Sequence, residues 1–431
     1  MPVKKTIRSA DKSRRQFLRK SFAGAGWIAA GGMLSRCGDN SGTGGTGASG
    51  GGAGTGGAGG VVGTGGAGGT PPPSSIATLG PLQDPDENGL RLPEGFTSRI
   101  IAQAEMEVAG TGHTWHSAPD GGAVYAASDG GWVYVSNSET LAPLGGGVGA
   151  VRFSSSGDIT DAYRILADTN QNCAGGPTPW DTWLSCEERP DGRVWECDPF
   201  GMTDAVVREA LGVFEHEAVA VDPVTQNLYL TEDEGDGRFY RFVPDGLIDG
   251  IADLSAGTLQ VAEVMGGGPE GTIEWRDLSD PSATSQPTRL QVPSSTPFDG
   301  GEGIWYFNGM VYFTTKGDNR VWALETASSE LTLLYDRATS SNPILSGVDN
   351  VTVSPSGDVL VAEDGGDMEI VALAPDGTIL PIVQVIGQDA SEITGPAFNP
   401  GFDRLYFSSQ RGFSGNLTDG ITYEVSGPFG G

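Results

Sequence analysis

The stretch Thr182-Trp183-Leu184-Ser185-Cys186-Glu187-Glu188 is a short apolar run that ends in a thiol and two carboxylates. Such groups are costly to gather at a strand end without a cation, so the stretch predicts a metal site. The ending recurs: Tyr229-Leu230-Thr231-Glu232-Asp233 and Leu360-Val361-Ala362-Glu363-Asp364 also close apolar runs on two acids. Glu217, Glu302 and Asp349 instead stand at the starts of such runs. Many carboxylates with amide and backbone oxygens, Asn350 among them, suit Ca²⁺ or another hard ion. The Cys186 thiolate, with the His216 imidazole nearby, suits iron or zinc. The expected ligands of a mixed cluster are therefore Cys186, Glu187, Glu188, Glu217, Glu232, Asp233, Glu302, Asp349, Asn350, Glu363 and Asp364. Asp236 and Asp318, each beside glycine, read instead as turn residues, and His116 reads as structural.

What must position these groups is a chain without long 3.6-residue periodicity and with many short strand-like runs bounded by Gly, Asp, Asn and Pro, which predicts a nearly all-β domain. The runs recur as units. The clearest begin at Glu217, Glu302 and Asp349, and weaker copies lie at residues 123–135, 182–197 and 395–410. Taking Tyr125, Trp183, Tyr229, Tyr312, Leu360 and Tyr406 as equivalent points gives spacings of 58, 46, 83, 48 and 46 residues. One such sheet cannot bury both faces alone and closure into a ring buries them, so the pattern predicts a six-bladed β-propeller with an insertion at residues 247–297. A seventh blade within residues 250–297 and a β-sandwich are the alternatives. In a blade the first strand lines the channel and the second runs antiparallel to it. Starts of first strands and ends of second strands thus share one face, and the predicted acids converge on one mouth of the central channel.

The chain has 431 residues with 55 Asp and Glu against 25 Lys and Arg, a formal charge of -30. That surface repels nucleic acid and suits divalent cations. Residues 1–36 hold nine of the bases, with a Ser13-Arg14-Arg15-Gln16-Phe17-Leu18 twin-arginine motif before a short Gly-broken apolar run. This is an export signal rather than a membrane span. Cys37 follows as a candidate lipid anchor, and residues 41–70, with 17 Gly and no charge, are a flexible tether. The expected organisation is a signal at 1–36, a tether at 37–83 and a propeller at 84–431, exported to the periplasm and then either anchored through Cys37 or secreted. If Cys37 is lipidated, three cysteines remain. A Cys173–Cys197 pair would free Cys186; a disulfide through Cys186 is the open alternative.

The blocks Thr182 to Glu188, Phe214-Glu215-His216-Glu217-Ala218, Tyr229 to Asp233, Glu302-Gly303-Ile304-Trp305, Asp349-Asn350 and Glu363-Asp364 resemble the PhoX-type alkaline phosphatase family. The resemblance runs from about Pro93 to the end of the chain. It implies a six-bladed propeller whose mouth holds Ca²⁺ and Fe³⁺, with a cysteine thiolate on the irons, and which hydrolyses phosphomonoesters. On that basis Cys186 becomes the iron ligand. This chain departs from the family where the large catalytic members carry Asp-Arg-Pro-Glu, since it has Asp299-Gly300-Gly301-Glu302. Arg411 and Lys316 are the candidates to contact phosphate in place of that arginine. A calcium-dependent lactonase and a non-catalytic, calcium-stabilised binding propeller are the competing readings. No nucleic-acid partner is expected, and the substrate would be a small phosphorylated molecule.

Overall fold

The computed structural model describes residues 73–429. The signal motif, Cys37 and most of the tether lie outside the described residues. Within them the chain is all-β with five short 3₁₀ turns, and it forms a propeller-like array of antiparallel sheets.

Six strands stand at the inner ends of these sheets: Pro119–Ala126, Asn172–Pro177, His216–Val221, Gly301–Phe307, Val348–Val353 and Ile393–Phe398. They touch one another in chain order, and the last touches the first, so they form a closed ring. From each inner strand the sheet runs outward through the next strands of the sequence. The ring is sealed by the N-terminal strand Thr97–Gln103, which pairs with Ile421–Ser426 as the outer strand of the last sheet.

Two features depart from six separate four-stranded units. The sheets that begin at His216 and Gly301 merge at their outer edges into nine strands, because Gly271 and Thr272 pair with Leu331 and Glu330. The extra residues at 247–297 supply the fourth strand of the sheet that begins at His216, Gly257–Val264, the joining strand Gly271–Asp277 and a small hairpin, and they build no inner strand of their own. The chain also docks earlier than its composition suggests. Ile76 is fully buried against the sheet of Val359–Glu363, and the Ser74 hydroxyl donates to Asp358 at 2.5 Å.

Aromatic stacks fill the spaces between sheets. Phe239 and Phe313 stack at 4.4 Å, and Tyr134 and Tyr406 at 5.2 Å. This burial is the main stabilising term, since no single sheet can cover both its own faces.

Candidate metal centre

All six inner strands share one irregularity. Each carries a β-bulge near its start, where three residues of the inner strand span two of the second: Pro119 to Gly122, Asn172 to Gly175, His216 to Val219, Gly301 to Ile304, Val348 to Val351 and Thr394 to Ala397. A bulge bends the strand and re-aims the side chain at that point. The residue after the start of each bulge is Asp120, Cys173, Glu217, Glu302 and Asp349 in the first five strands and Gly395 in the sixth. The residue after each second strand forms an outer ring: Glu139, Glu188, Asp233, Lys316, Asp364 and Gln410. Repetition of one local geometry thus carries acids from separate sheets to one mouth.

Small residues permit the convergence. A Cβ on Gly121 would fall 2.5 Å from the Ala174 Cα, and one on Gly303 would fall 2.6 Å from the Asn350 Cα. Side chains of one sheet also cap the bulge carbonyls of the next. Thr231 Oγ1 donates to the Glu302 carbonyl at 2.6 Å, Thr314 Oγ1 to the Asp349 carbonyl at 2.5 Å, and Asn137 Nδ2 to the Cys173 carbonyl at 3.1 Å. Between the last sheet and the first, Thr394 Oγ1 donates to the Pro119 carbonyl at 2.9 Å.

Nine carboxylates meet there, namely Asp120, Glu139, Glu188, Glu217, Asp233, Glu302, Asp349, Asp364 and Glu392, with Cys173 among them. Four groupings bring ligand atoms within 4.8 Å of one another: Cys173 with Glu188 and Glu217, Asp120 with Glu139 and Glu392, Glu217 with Glu302 and Asp349, and Asp349 with Asp364 and Glu392. Two cations oppose them. Lys316 Nζ lies 2.9 Å from Glu302, 3.2 Å from Asp364 and 3.4 Å from Asp349, and Arg411 lies 2.7 Å from Glu392.

The excess of negative charge shows in proton affinity. Burial, with the added repulsion of neighbouring carboxylates, pushes Asp120, Glu188, Glu217, Glu302 and Glu392 well above the ordinary carboxylate range. Asp364 is the exception. Burial raises its proton affinity too, but Lys316 and then Arg411 outweigh that and hold it below its usual value. Both Glu217 oxygens are buried without a hydrogen-bond partner. A buried carboxylate in that condition is strongly destabilising unless something binds it.

The structure brings together Glu188, Glu217, Asp233, Glu302, Asp349 and Asp364 of the expected ligands, and it adds both expected phosphate contacts, Lys316 and Arg411. Five expected ligands lie elsewhere. Cys186 sits in an apolar cluster with Leu184, Val194, Leu211 and Phe214, and burial pushes its thiol well up. Glu187, Glu232 and Glu363 are the last residues of their strands, and side chains alternate along a strand. They therefore point into their own sheets, where they clasp backbone amides: Glu187 holds Asn170 N at 3.0 Å, Glu232 holds Arg238 N at 3.0 Å, and Glu363 holds Ser346 N at 2.7 Å. Asn350 accepts from Gly395 N at 2.7 Å and so ties two inner strands together. His216 packs on Phe214 with Nε2 at 3.1 Å from the Gly212 carbonyl, and burial lowers its pKa to about 3. Asp236 and Asp318 pair with Arg289 and Arg320 at turns.

The residues missing from the sequence reading are Asp120, Glu139, Cys173 and Glu392. The weaker copies at residues 123–135 and 182–197 begin partway along the first inner strand and at the second strand of the next sheet, which leaves Asp120-Gly121-Gly122 and Cys173-Ala174-Gly175 outside them. A signal existed: Glu217-Ala218, Glu302-Gly303 and those two pairs all set a ligand type before a small residue. Neither candidate disulfide is present among the described residues, where Cys173, Cys186 and Cys197 are all free thiols.

The model of the family described as alkaline phosphatase PhoX matches residues 137–196 and 190–343, a span that includes Cys173, Glu188, Glu217, Asp233, Glu302 and Lys316. Among solved structures, Pseudomonas fluorescens PhoX in complex with vanadate, a transition state analogue, aligns with a TM-score of 0.66 at 17% identity, over 81% of this chain and 97% of that chain. A protein of unknown function from Bacteroides thetaiotaomicron aligns with a TM-score of 0.48 at 10% identity, over 81% of this chain and 84% of that chain. Agrobacterium tumefaciens regucalcin, a calcium-binding protein, aligns with a TM-score of 0.44 at 14% identity, over 77% of this chain and 96% of that chain. No curated protein matches the sequence. Over residues 137–343 the chain is thus similar to the PhoX-type alkaline phosphatase family, and it shares the fold of a solved PhoX.

Proposed function

We propose that this chain is an exported phosphomonoester hydrolase that works at the channel mouth of a six-bladed propeller with calcium and iron bound. The closed ring of six inner strands supports the blade number. The observation that carries the metal reading is Glu217, whose two buried oxygens lack partners at the centre of nine acids. The donor set fits the metals. Cys173 with Glu188 and Glu217 would hold iron through a thiolate and two carboxylates, and the grouping of Asp120, Glu139 and Glu392 would hold calcium. Bound there, the ions would supply Lewis-acid neutralisation of the phosphate and of the charge that develops in the transition state.

The protein's own share is position and charge. The bulges fix the acids on a rigid ring, which keeps the geometry preorganised. Arg411 is anchored twice, by Glu392 at 2.7 Å and by its backbone N–H on Ser391 Oγ at 2.8 Å. Its guanidinium is the group best suited to a phosphate fork. It takes the part left open at Asp299-Gly300-Gly301-Glu302, where Gly300, at φ 68°, adopts the left-handed conformation glycine favours. Export rests on the twin-arginine motif, outside the described residues.

Turnover of p-nitrophenyl phosphate in alkaline buffer tests this reading. The account expects activity that chelators abolish, and a rise of at least 10-fold in KM or a comparable loss in kcat/KM for Arg411→Ala, in line with the roughly 1.5 to 3 kcal/mol that a charged hydrogen bond contributes. Turnover of a lactone with none of the phosphate ester would favour the calcium-dependent lactonase reading. Calcium binding without turnover of either would favour a binding module.

A further inference from the structure

Five of the six outer-ring positions carry acids or an amide: Glu139, Glu188, Asp233, Asp364 and Gln410. The position at the fourth inner strand's sheet alone carries a base, Lys316. Its Nζ faces three carboxylates from two sheets, at 2.9 Å from Glu302, 3.2 Å from Asp364 and 3.4 Å from Asp349. Its main chain is pinned as well, because Lys316 N donates to the Gly300 carbonyl at 2.8 Å.

The three acids it grips are the ones that would otherwise form ion sites. Glu302 and Asp349 belong to the grouping with Glu217, and Asp349 and Asp364 belong to the grouping with Glu392. A carboxylate trio around one point is the shell a hard divalent ion takes, and an ammonium with three donors can fill the same shell at slightly longer range. We propose that the Lys316 ammonium stands in for one divalent cation of the cluster, so that this chain loads one ion fewer than its ring of acids would otherwise take. The inference rests on the metal-binding reading of the mouth. It divides the mouth into a part neutralised by the protein itself, around Glu302, Asp349 and Asp364, and a part that depends on metal, around Cys173, Glu188 and Glu217 on one side and Asp120, Glu139 and Glu392 on the other.

The test compares the full chain with Lys316→Glu, which restores the residue type seen at four equivalent positions, and with Lys316→Gln, which removes the charge alone. Each protein is stripped with chelator and titrated with Ca²⁺ alone by calorimetry, and the bound calcium is then counted by elemental analysis after desalting. Each variant is expected to hold one more calcium per chain than the parent, with a larger rise in Tm on calcium addition. A variant that folds only with calcium also supports the proposal. Equal calcium content in parent and folded variants overturns it. If Lys316→Glu fails to fold under any condition, Lys316→Gln decides. A parent that holds no calcium while the variants hold one would sink the proposed function and leave the lysine inference standing; no calcium in any of them overturns both.

Discussion

Glu217 shows what the mouth costs the metal-free protein. It is fully buried, both oxygens lack hydrogen-bond partners, and Glu302 and Glu188 add repulsion to burial. Replacing such a group by an apolar side chain of similar volume is often stabilising. Glu217→Leu is therefore expected to stabilise the chelator-stripped protein by about 1 to 2 kcal/mol in urea unfolding, and at the same time to lower its retained metal. A stripped variant less stable than its parent would mean that the carboxylate is satisfied in a way this account lacks. Cys186 behaves in the opposite sense. In its apolar cluster, Cys186→Ser should cost roughly 1 to 3 kcal/mol by burying a hydroxyl, while metal content stays unchanged. Glu232 and Glu363 set a pH dependence. Burial raises each to about 7, against about 4.3 in an unfolded chain. A raised carboxylate holds its proton in the fold, so its contribution is complete below about pH 4.3 and is lost as pH rises through about 7. The Tm of the stripped protein should fall between pH 5 and pH 8, and a flat profile would contradict the burial assigned to these two groups. Residue types were legible in the sequence, and residue roles only in part. Glu232-Asp233 and Glu363-Asp364 read as pairs of equal ligands because the sequence does not say which member ends the strand. Strand alternation makes the first a clasp and the second a mouth residue.

At the scale of the element, the repeated bulge does the placing, and its carbonyls need partners supplied from the next sheet. Thr231→Val leaves the Glu302 carbonyl without its 2.6 Å donor, and Thr314→Val does the same to Asp349. Each is expected to cost about 1 to 3 kcal/mol of stability and to weaken calcium binding, whereas Thr231→Ser should keep most of both. A Thr231→Val protein with unaltered unfolding would show that the carbonyl finds water instead. The strands themselves were visible as aromatic and aliphatic runs between glycine turns. The bulges were not, because a bulge is a mismatch between two strands and neither strand alone records it. Asp120 and Cys173 stand on inner strands rich in glycine and proline, Pro119–Ala126 and Asn172–Pro177, and so escaped a reading based on apolar pattern. His216 and Asn350 mislead for a related reason: a polar residue beside a ligand position can as readily brace the backbone, as the Gly212 and Gly395 contacts show.

At the scale of the whole molecule, the ring is closed by a strand from the other end of the chain, Thr97–Gln103 on Ile421–Ser426. All-β character and repeat spacing were legible, since short apolar runs between glycine turns recur at blade-sized intervals. The merged nine-strand sheet was not, because the long interval between the third and fourth units fits an insertion, an extra blade or a bridging edge equally well. The formal charge of -30 gains meaning from this architecture, as part of it is drawn into one mouth where cations must balance it. The most direct measurement is therefore the iron and calcium content of the purified full chain beside that of Cys173→Ala. The account predicts iron together with calcium in the parent, and loss of iron with calcium retained in the variant. A parent free of both metals, or a variant with undiminished iron, would contradict it.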